Sequence, residues 1–404
     1  MQTHFSIAQL AQDDIAEADS ILRDCVHCGM CLATCPTYLL LGDERDSPRG
    51  RIYLIKNMLE EGERAFSETV THLDRCLTCL ACETTCPSGV DYRHLLDIGR
   101  EQIAQGFKRP FWDRVKRRFL AFILPRPDIL RVVFMLGRVL FFLKPIMPWL
   151  EKIPASLHRR RKMHELLPLV QPKGRKVLLL MGCAQQILRP AINEAAIELL
   201  HSLGIEVIPS QSHCCGAISH HLGYAEEAKS QAQKLLTLFR QSGAQAIITT
   251  SSGCASVMRE YQKWLPNEAV ASVQEISIYL QSFVAEWAQQ PLSNVRVAYH
   301  APCSLRNGLK IPDLPKELLR KAGYQLLDMP EQHLCCGSAG TYNLLEPELA
   351  EKLQMRKKEL LMQMDVEVFA SSNIGCLEQI LGKPGFHYIE LLNWAKNGRK
   401  PEGC

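Results

Sequence analysis

Sixteen of the seventeen cysteines in this chain fall into four sets of four, and that arrangement restricts the fold more than any other feature. The stretch "DCVHCGMCLATCPTY" holds Cys25, Cys28, Cys31 and Cys35, with Pro36 directly behind the last. "CLTCLACETTCPSG" repeats the spacing at Cys76, Cys79, Cys82 and Cys86, again with a proline, Pro87, behind it. The remaining sets are dispersed. Cys183 is followed by the pair Cys214/Cys215 with Gly216 and then by Cys254; Cys303, the pair Cys335/Cys336 with Gly337, and Cys376 repeat that order. The gaps are 31 and 39 residues in the first copy and 32 and 40 in the second, so the C-terminal part is a duplicated unit. Only Cys404 is left over.

Three thiolates at C-x2-C-x2-C spacing let one tight loop wrap three corners of an iron–sulfur cube, while the cysteine before proline leaves the loop and reaches the neighbouring cluster. The expected assignment is one [4Fe-4S] cluster on Cys25, Cys28, Cys31 and Cys86, and a second on Cys76, Cys79, Cys82 and Cys35. Zinc sites more often pair two C-x2-C knuckles, which would leave the other cysteines here without a role. The N-terminal "MQTHFSIAQLAQDD" has neither a basic nor an apolar secretory region, so reduced, cytoplasmic thiols are expected in place of disulfides. The longest apolar stretch, 129–150, is cut by Arg131, Arg138, Lys144, Pro145 and Pro148, and no spanning helix is expected.

A length of 404 residues has room for several cores. Between the first two cysteine motifs, "SPRGRIYLIKNMLEEG" reads as a helix entered from Pro48, and after the second motif "DYRHLLDIGREQIAQG" reads as another with Asp91 at its N-cap. These insertions favour a helical two-cluster ferredoxin domain over the compact hairpin kind. Arg49 and Arg51 either offset the negative clusters or form a solvated helix start. Each duplicated unit opens on a β-rich run ("KVLLLMGC", "VRVAYHAPC") and alternates helix and strand up to "AQAIITTSSGC" or "VEVFASSNIGC", the pattern of a parallel α/β sheet. Its cysteines follow its strands, so they are expected at the sheet's carboxyl edge, where open α/β folds place their sites. The fold class is therefore α+β multidomain: a helical ferredoxin domain at 1–106, a basic amphipathic connector at 107–174, and two α/β cysteine-rich units at 175–292 and 293–404.

The tandem C…CCG…C units behind a double ferredoxin motif resemble the cysteine-rich domains of the heterodisulfide reductase family. The phrases "SPRGRIYLIK", "CETTCPSGVDY", "LLDIGR", "HLCCGSAGTYNL" and "NIGC" resemble more specifically the iron–sulfur subunits of bacterial glycolate oxidases. That resemblance implies electron transfer within an FAD-dependent 2-hydroxy-acid dehydrogenase. Substrate oxidation would lie on an FAD-containing partner, beside a second flavin-type subunit, with quinone as acceptor. Related lactate and glycerol 3-phosphate systems use similarly built subunits. One departure matters: the fullest CCG unit ends in C-x2-C, but Ser251 and Asn373 stand where the extra thiols would be. This argues against disulfide reduction. The four thiols left in each unit suffice for an ordinary cubane cluster or for zinc. His213, His300 and His333 stand near these cysteines and are expected to be satisfied neighbours, not ligands.

No G-x-G-x-x-G fingerprint, P-loop or nucleophile elbow is found, in keeping with a chain that carries electrons and holds no nucleotide. From Lys108 to Lys176, eighteen Lys/Arg face four acids, a net +14 in a chain whose total is +4. Because Phe111, Trp112, Phe119 and Phe122 are interleaved with these charges, an anionic membrane surface is expected before nucleic acid. The competing reading docks this apolar face on a flavin subunit or on the chain's own core. The membrane reading implies a peripheral protein on the inner face of the cytoplasmic membrane.

Overall fold

The computed structural model describes residues 1–62, 66–139, 174–266, 268, 272–286 and 295–404. Its longer helices are α1 (Asp13–Asp24), α2 (Pro48–Glu61), α3 (Tyr92–Gly106), α4 (Phe111–Ile123), α5 (Pro127–Val139), α6 (Pro190–Ser202), α7 (Ala225–Ser242), α8 (Pro347–Met362) and α9 (Tyr388–Asn397). The N-terminal region is helical. Ser47 caps α2 by accepting from Gly50 N at 2.9 Å, and Pro48 presets the first helical φ. Asp91 caps α3 by accepting from His94 N, as its position in the sequence indicates. Ile15, Ala18 and Leu22 of α1, Ile52, Ile55 and Met58 of α2, and Leu95, Leu96 and Ile103 of α3 form one core, with Cys25, Cys76 and Cys82 at its margin.

Two four-stranded parallel sheets follow. Strands β1 (Arg175–Leu180), β2 (Ile205–Pro209), β3 (Ala246–Thr249) and β4 (Val273–Glu275) are ordered β2-β1-β3-β4; β5 (Arg296–His300), β6 (Gln325–Asp328), β7 (Val368–Ser371) and β8 (Gly385–His387) repeat this as β6-β5-β7-β8. Registers match as well: Leu180 lies opposite Thr249 in the first sheet and His300 opposite Ser371 in the second. The two central strands are buried on both faces, and successive residues divide between two cores. Val177 and Leu179 join Val297 and Tyr299 in a core shared by both sheets and closed by α6 and α9, whereas Leu178 and Leu180 face a core belonging to the first unit alone. The duplicated units are thus back to back about a common core, and their carboxyl edges carry the cysteines.

The connector is described as far as Val139; its remainder to residue 173, with Phe141, Phe142, Trp149 and Arg159 to Lys162, falls outside the described residues. In α4 Arg114, Lys116 and Arg118 are exposed and Arg117 turns inward. Arg117 is buried and pairs with Asp74 at 2.8 Å and with Asp113 at 3.0 Å, Arg118 pairs with Glu227, and Lys116 donates to Leu344 O at 2.6 Å. Phe111, Trp112, Val115, Phe119 and Phe122 are all exposed, Trp112 at 78%. Exposed aromatic and exposed basic side chains thus share the outer surface of α4, and Asp74 and Glu227, outside the segment, supply counterions to Arg117 and Arg118.

Candidate iron–sulfur centres

The two ferredoxin-type loops share an unusual backbone. His27 and Gly29 in the first, and Thr78 and Leu80 in the second, occupy the same two places between their cysteines, and all four have positive φ, at 55°, 80°, 51° and 59°. For Leu80 this conformation is strained, and repetition of the strain at matched places marks a loop bent to wrap something. Cys25, Cys28, Cys31 and Cys86 line one hollow of about 440 Å³, part of it open to solvent, together with Cys82 and Arg49. Cys86 therefore comes from the second motif to join three thiols of the first. Cys35 moves the other way. It is buried, and it lies within electrostatic reach of Cys79 and Cys82 as well as of Cys31 of its own motif, while Arg51 reaches both Cys35 and Cys76.

Burial pushes the Cys31 thiol up to about 11, and it pushes Cys79 and Cys82 well above the ordinary thiol range. Ligation requires thiolates, so groups this desolvated need a strongly cationic partner, which iron supplies. The donor set at both places is all sulfur, with Cys25 buried in the first set and Cys35, Cys76 and Cys82 in the second, and it fits an iron–sulfur cluster.

Arg49 and Arg51, two residues apart at the start of α2, serve different loops. Arg49 stays partly exposed, pairs with Glu44 at 2.8 Å and donates to His27 O at 3.1 Å beside the first hollow. Arg51 is 1% exposed. It donates to His72 O at 2.7 Å and to Thr37 Oγ1 at 3.0 Å, and it approaches Asp46 at 3.4 Å and Cys35 Sγ at 3.8 Å. Asp46, also buried, is held at 2.9 Å by Arg75 and at 3.0 Å by His72. The Tyr92 hydroxyl donates to Cys76 Sγ at 3.5 Å. Of the two readings the sequence left open for these arginines, charge compensation fits Arg51, and the helix-start reading fits Arg49 only in part. Tyr92 was not legible as a site residue, because it reads as the first apolar position of α3.

In the duplicated units each set of four thiols converges. Cys183 and Cys214 lie 3.6 Å apart and Cys215 contacts Cys254; Cys303 and Cys335 are 3.9 Å apart, and Cys336 and Cys376 3.2 Å. The glycine after each pair is needed for its backbone. Gly216 and Gly337 have φ of +85° and +92°, and a Cβ would stand 2.8 Å from Ala228 O or Ala350 O. Ser251 and Asn373, at the positions where a fuller unit has thiols, cap short helices: Ser251 Oγ accepts from Cys254 N and Asn373 Oδ1 from Gly375 N. His213 Nδ1 is taken by Ser210 O at 2.7 Å, and His333 is exposed.

Comparison with known proteins agrees with this architecture. Residues 21–90 match the 4Fe-4S dicluster domain, and residues 177–259 and 297–381 each match the cysteine-rich CCG domain. The dicluster match implies two [4Fe-4S] clusters. A crystal structure of a hypothetical protein from Helicobacter pylori, 11% identical, superimposes with a TM-score of 0.56 over 99% of this chain and 74% of that one, a likeness of fold. Lactate utilization protein A of Bacillus subtilis is 25% identical over 54% of this chain and 99% of its own length. The probable glycolate oxidase iron-sulfur subunit of Bacillus subtilis is 31% identical, covering 89% of this chain and 88% of that protein. The glycolate oxidase iron-sulfur subunit of Escherichia coli is 41% identical over 98% of this chain and 99% of that protein. Similarity of that degree along the whole length, over a dicluster domain and two CCG units, places the chain in the family of glycolate oxidase iron–sulfur subunits.

Proposed function

We propose that this chain carries electrons from an FAD-containing partner that oxidises glycolate to glyoxylate, and passes them toward a membrane quinone. Glycolate gives up two electrons and two protons at the flavin; the electrons then leave one at a time through this subunit. When bound, the clusters supply one-electron redox chemistry at sulfur-ligated iron. Cys25, Cys28, Cys31 and Cys86 would hold one, and Cys76, Cys79, Cys82 and Cys35 the other. Arg51 and Tyr92 direct buried donors at two thiols of the second set, which eases the accumulation of negative charge there. The observation that supports this reading is that Cys86 of the second motif lines the hollow of Cys25, Cys28 and Cys31, while Cys35 of the first lies within electrostatic reach of Cys79 and Cys82.

A second reading, lactate in place of glycolate, is favoured by the partial match to lactate utilization protein A. The two separate by experiment. Glycolate, lactate and glycerol 3-phosphate are offered in turn to the intact complex co-purified with its flavoprotein, and reduction of a quinone analogue is followed. Turnover with glycolate is expected to dominate; dominance of lactate overturns the substrate assignment.

Among the described residues no helix is long and apolar enough to cross a membrane. Delivery to a quinone dissolved in the bilayer instead calls for peripheral contact, and the outward face of α4 has the aromatic composition for it. Replacing Trp112 and Phe119 together by serine is expected to reduce sedimentation of the complex with anionic liposomes at least tenfold. Neutralising Arg117 is expected to loosen α4, since that side chain is occupied by Asp74 and Asp113. Liposome binding that survives loss of both aromatics would move the role of this face to subunit assembly.

A further inference from the structure

The two CCG units have the same topology and the same thiols, but they differ at several matched positions around those thiols. The sequence copies are aligned by the close approach of Gly216 to Ala228 and of Gly337 to Ala350. Seven residues further along the respective helices, α7 has Leu235 and α8 has Lys357. Three residues before the first cysteine, β1 ends on Leu180 and β5 on His300. Three residues after it stand Gln186 and Arg306, and four after it Ile187 and Asn307.

In the first unit Leu180 and Leu235 pack in an apolar core with Cys183, Cys214 and Cys215. Ile187 packs against Ile123 of α4 and Leu130 of α5, so this edge is turned toward the connector. In the second unit Lys357, 1% exposed, lies within electrostatic reach of Cys335, Cys336 and Cys376, and its ammonium donates to Glu331 O at 2.5 Å. The neighbouring acids do not cancel it: the Glu331 carboxylate is bound by Arg356, and Asp328 by Lys316. His300 is 1% exposed with neither ring nitrogen bonded, and Arg306 Nε is likewise buried without a partner. These unpartnered polar atoms stand three residues either side of Cys303 in the chain, and buried polar atoms without partners call for an explanation.

Both units meet the ferredoxin domain, the first through α3, where His220 pairs with Asp97 at 3.0 Å and Arg93 with Glu260 at 3.1 Å, but it is the second whose thiols lie against a ferredoxin-motif thiol. Cys303 and Cys335 share an apolar cluster with Leu77 and Cys79, and Asn307 Nδ2 donates to Cys79 O at 2.8 Å, with Thr84 Oγ1 bonded to the same side chain at 3.3 Å. Adding an electron to a thiolate-bound centre in a protein interior costs electrostatic energy, which nearby cations offset and an apolar shell does not. The geometry points to a division of labour: the second CCG unit holds the electron-accepting centre of this chain, fed from the Cys79 side, with Lys357 as its buried countercharge, while the first unit lies off the path and is structural. The step is a one-electron exchange, in which the ferredoxin centre is oxidised and the centre on Cys303, Cys335, Cys336 and Cys376 is reduced. This rests on the electron-carrying role proposed above.

The test is EPR-monitored reduction of the anaerobically purified complex. On reduction, the signal of the centre held by Cys76, Cys79 and Cys82 is expected to broaden through coupling to a second reduced centre nearby. Cys336→Ala is expected to abolish the broadening, and Cys215→Ala to leave it. Lys357→Leu, which installs the first unit's residue and removes no thiol, is expected to lower the reduced-to-oxidised ratio of the second-unit centre at least tenfold at a fixed potential, 59 mV for one electron. Broadening that survives Cys336→Ala, or disappears in Cys215→Ala, overturns the assignment. So does an unshifted ratio in Lys357→Leu, or a second unit without a reducible centre while both ferredoxin signals are intact. Absence of the ferredoxin signals themselves would instead sink the electron-carrying reading and this inference with it.

Discussion

Replacing Cys35 by alanine is expected to remove the cluster shared with Cys76, Cys79 and Cys82 and to spare the one beside Cys25, although Cys35 lies in the same eleven-residue motif as Cys25, Cys28 and Cys31. The expectation follows from position. Cys35 is buried beside Thr37 and Arg51, and its electrostatic neighbours include Cys79 and Cys82. Iron in the ferredoxin region should fall by about half, from about eight atoms to about four, and one of two EPR signals should vanish. Cys86→Ala should give the complementary loss, since that thiol lines the hollow of Cys25, Cys28 and Cys31. Alanine is preferred to serine because it leaves no oxygen to ligate iron. Loss of the Cys25 cluster from Cys35→Ala would show that each motif serves its own site.

Arg51→Met is expected to be the most damaging change in this region outside the cysteines. The guanidinium bonds His72 O and Thr37 and stands against Asp46, which is itself fully buried. Breaking one partner of a buried ionic group typically costs about 3–5 kcal/mol, because the remaining charge is stranded. Arg75 still holds Asp46 at 2.9 Å, which argues for the lower end of that range. A second consequence is electrostatic. Loss of the donor to Cys35 Sγ should make the cluster it ligates harder to reduce and move its midpoint potential negative. Thermal loss of the visible cluster absorption reports the first effect, and a redox titration the second. Tyr92→Phe, which removes only the hydroxyl directed at Cys76, should shift the same potential in the same direction with little effect on stability. A potential that stays fixed in both variants, with iron content intact, would contradict the tuning role.

Much of this molecule was legible before any coordinates, because covalent spacing announces metal sites directly. The paired motifs, the duplication and the capping residues Ser47, Pro48 and Asp91 are local signals, and the structure places helices where they indicate. The closing strands β4 and β8 were not legible: each is three residues long, too short for alternation to register. The environment of the charged residues was not legible either. Lys357 sits in the charged run "MRKKELL" and reads as a solvated helix face; only the close packing of Gly337 on α8 turns it toward the thiols. The counterions of Arg117 and Arg118 in α4 were not legible for a related reason, since Asp74 and Glu227 lie far away in the chain. Periodicity records which residues share a face. It does not record which tertiary partner that face will meet.

The most direct test of the account is the iron and acid-labile sulfide content of the anaerobically purified complex, measured with its EPR spectrum. At least about eight irons and eight sulfides per copy of this chain, beyond what any partner subunit contributes, are expected from two [4Fe-4S] clusters, with two reducible signals. Bound zinc without sulfide would contradict it.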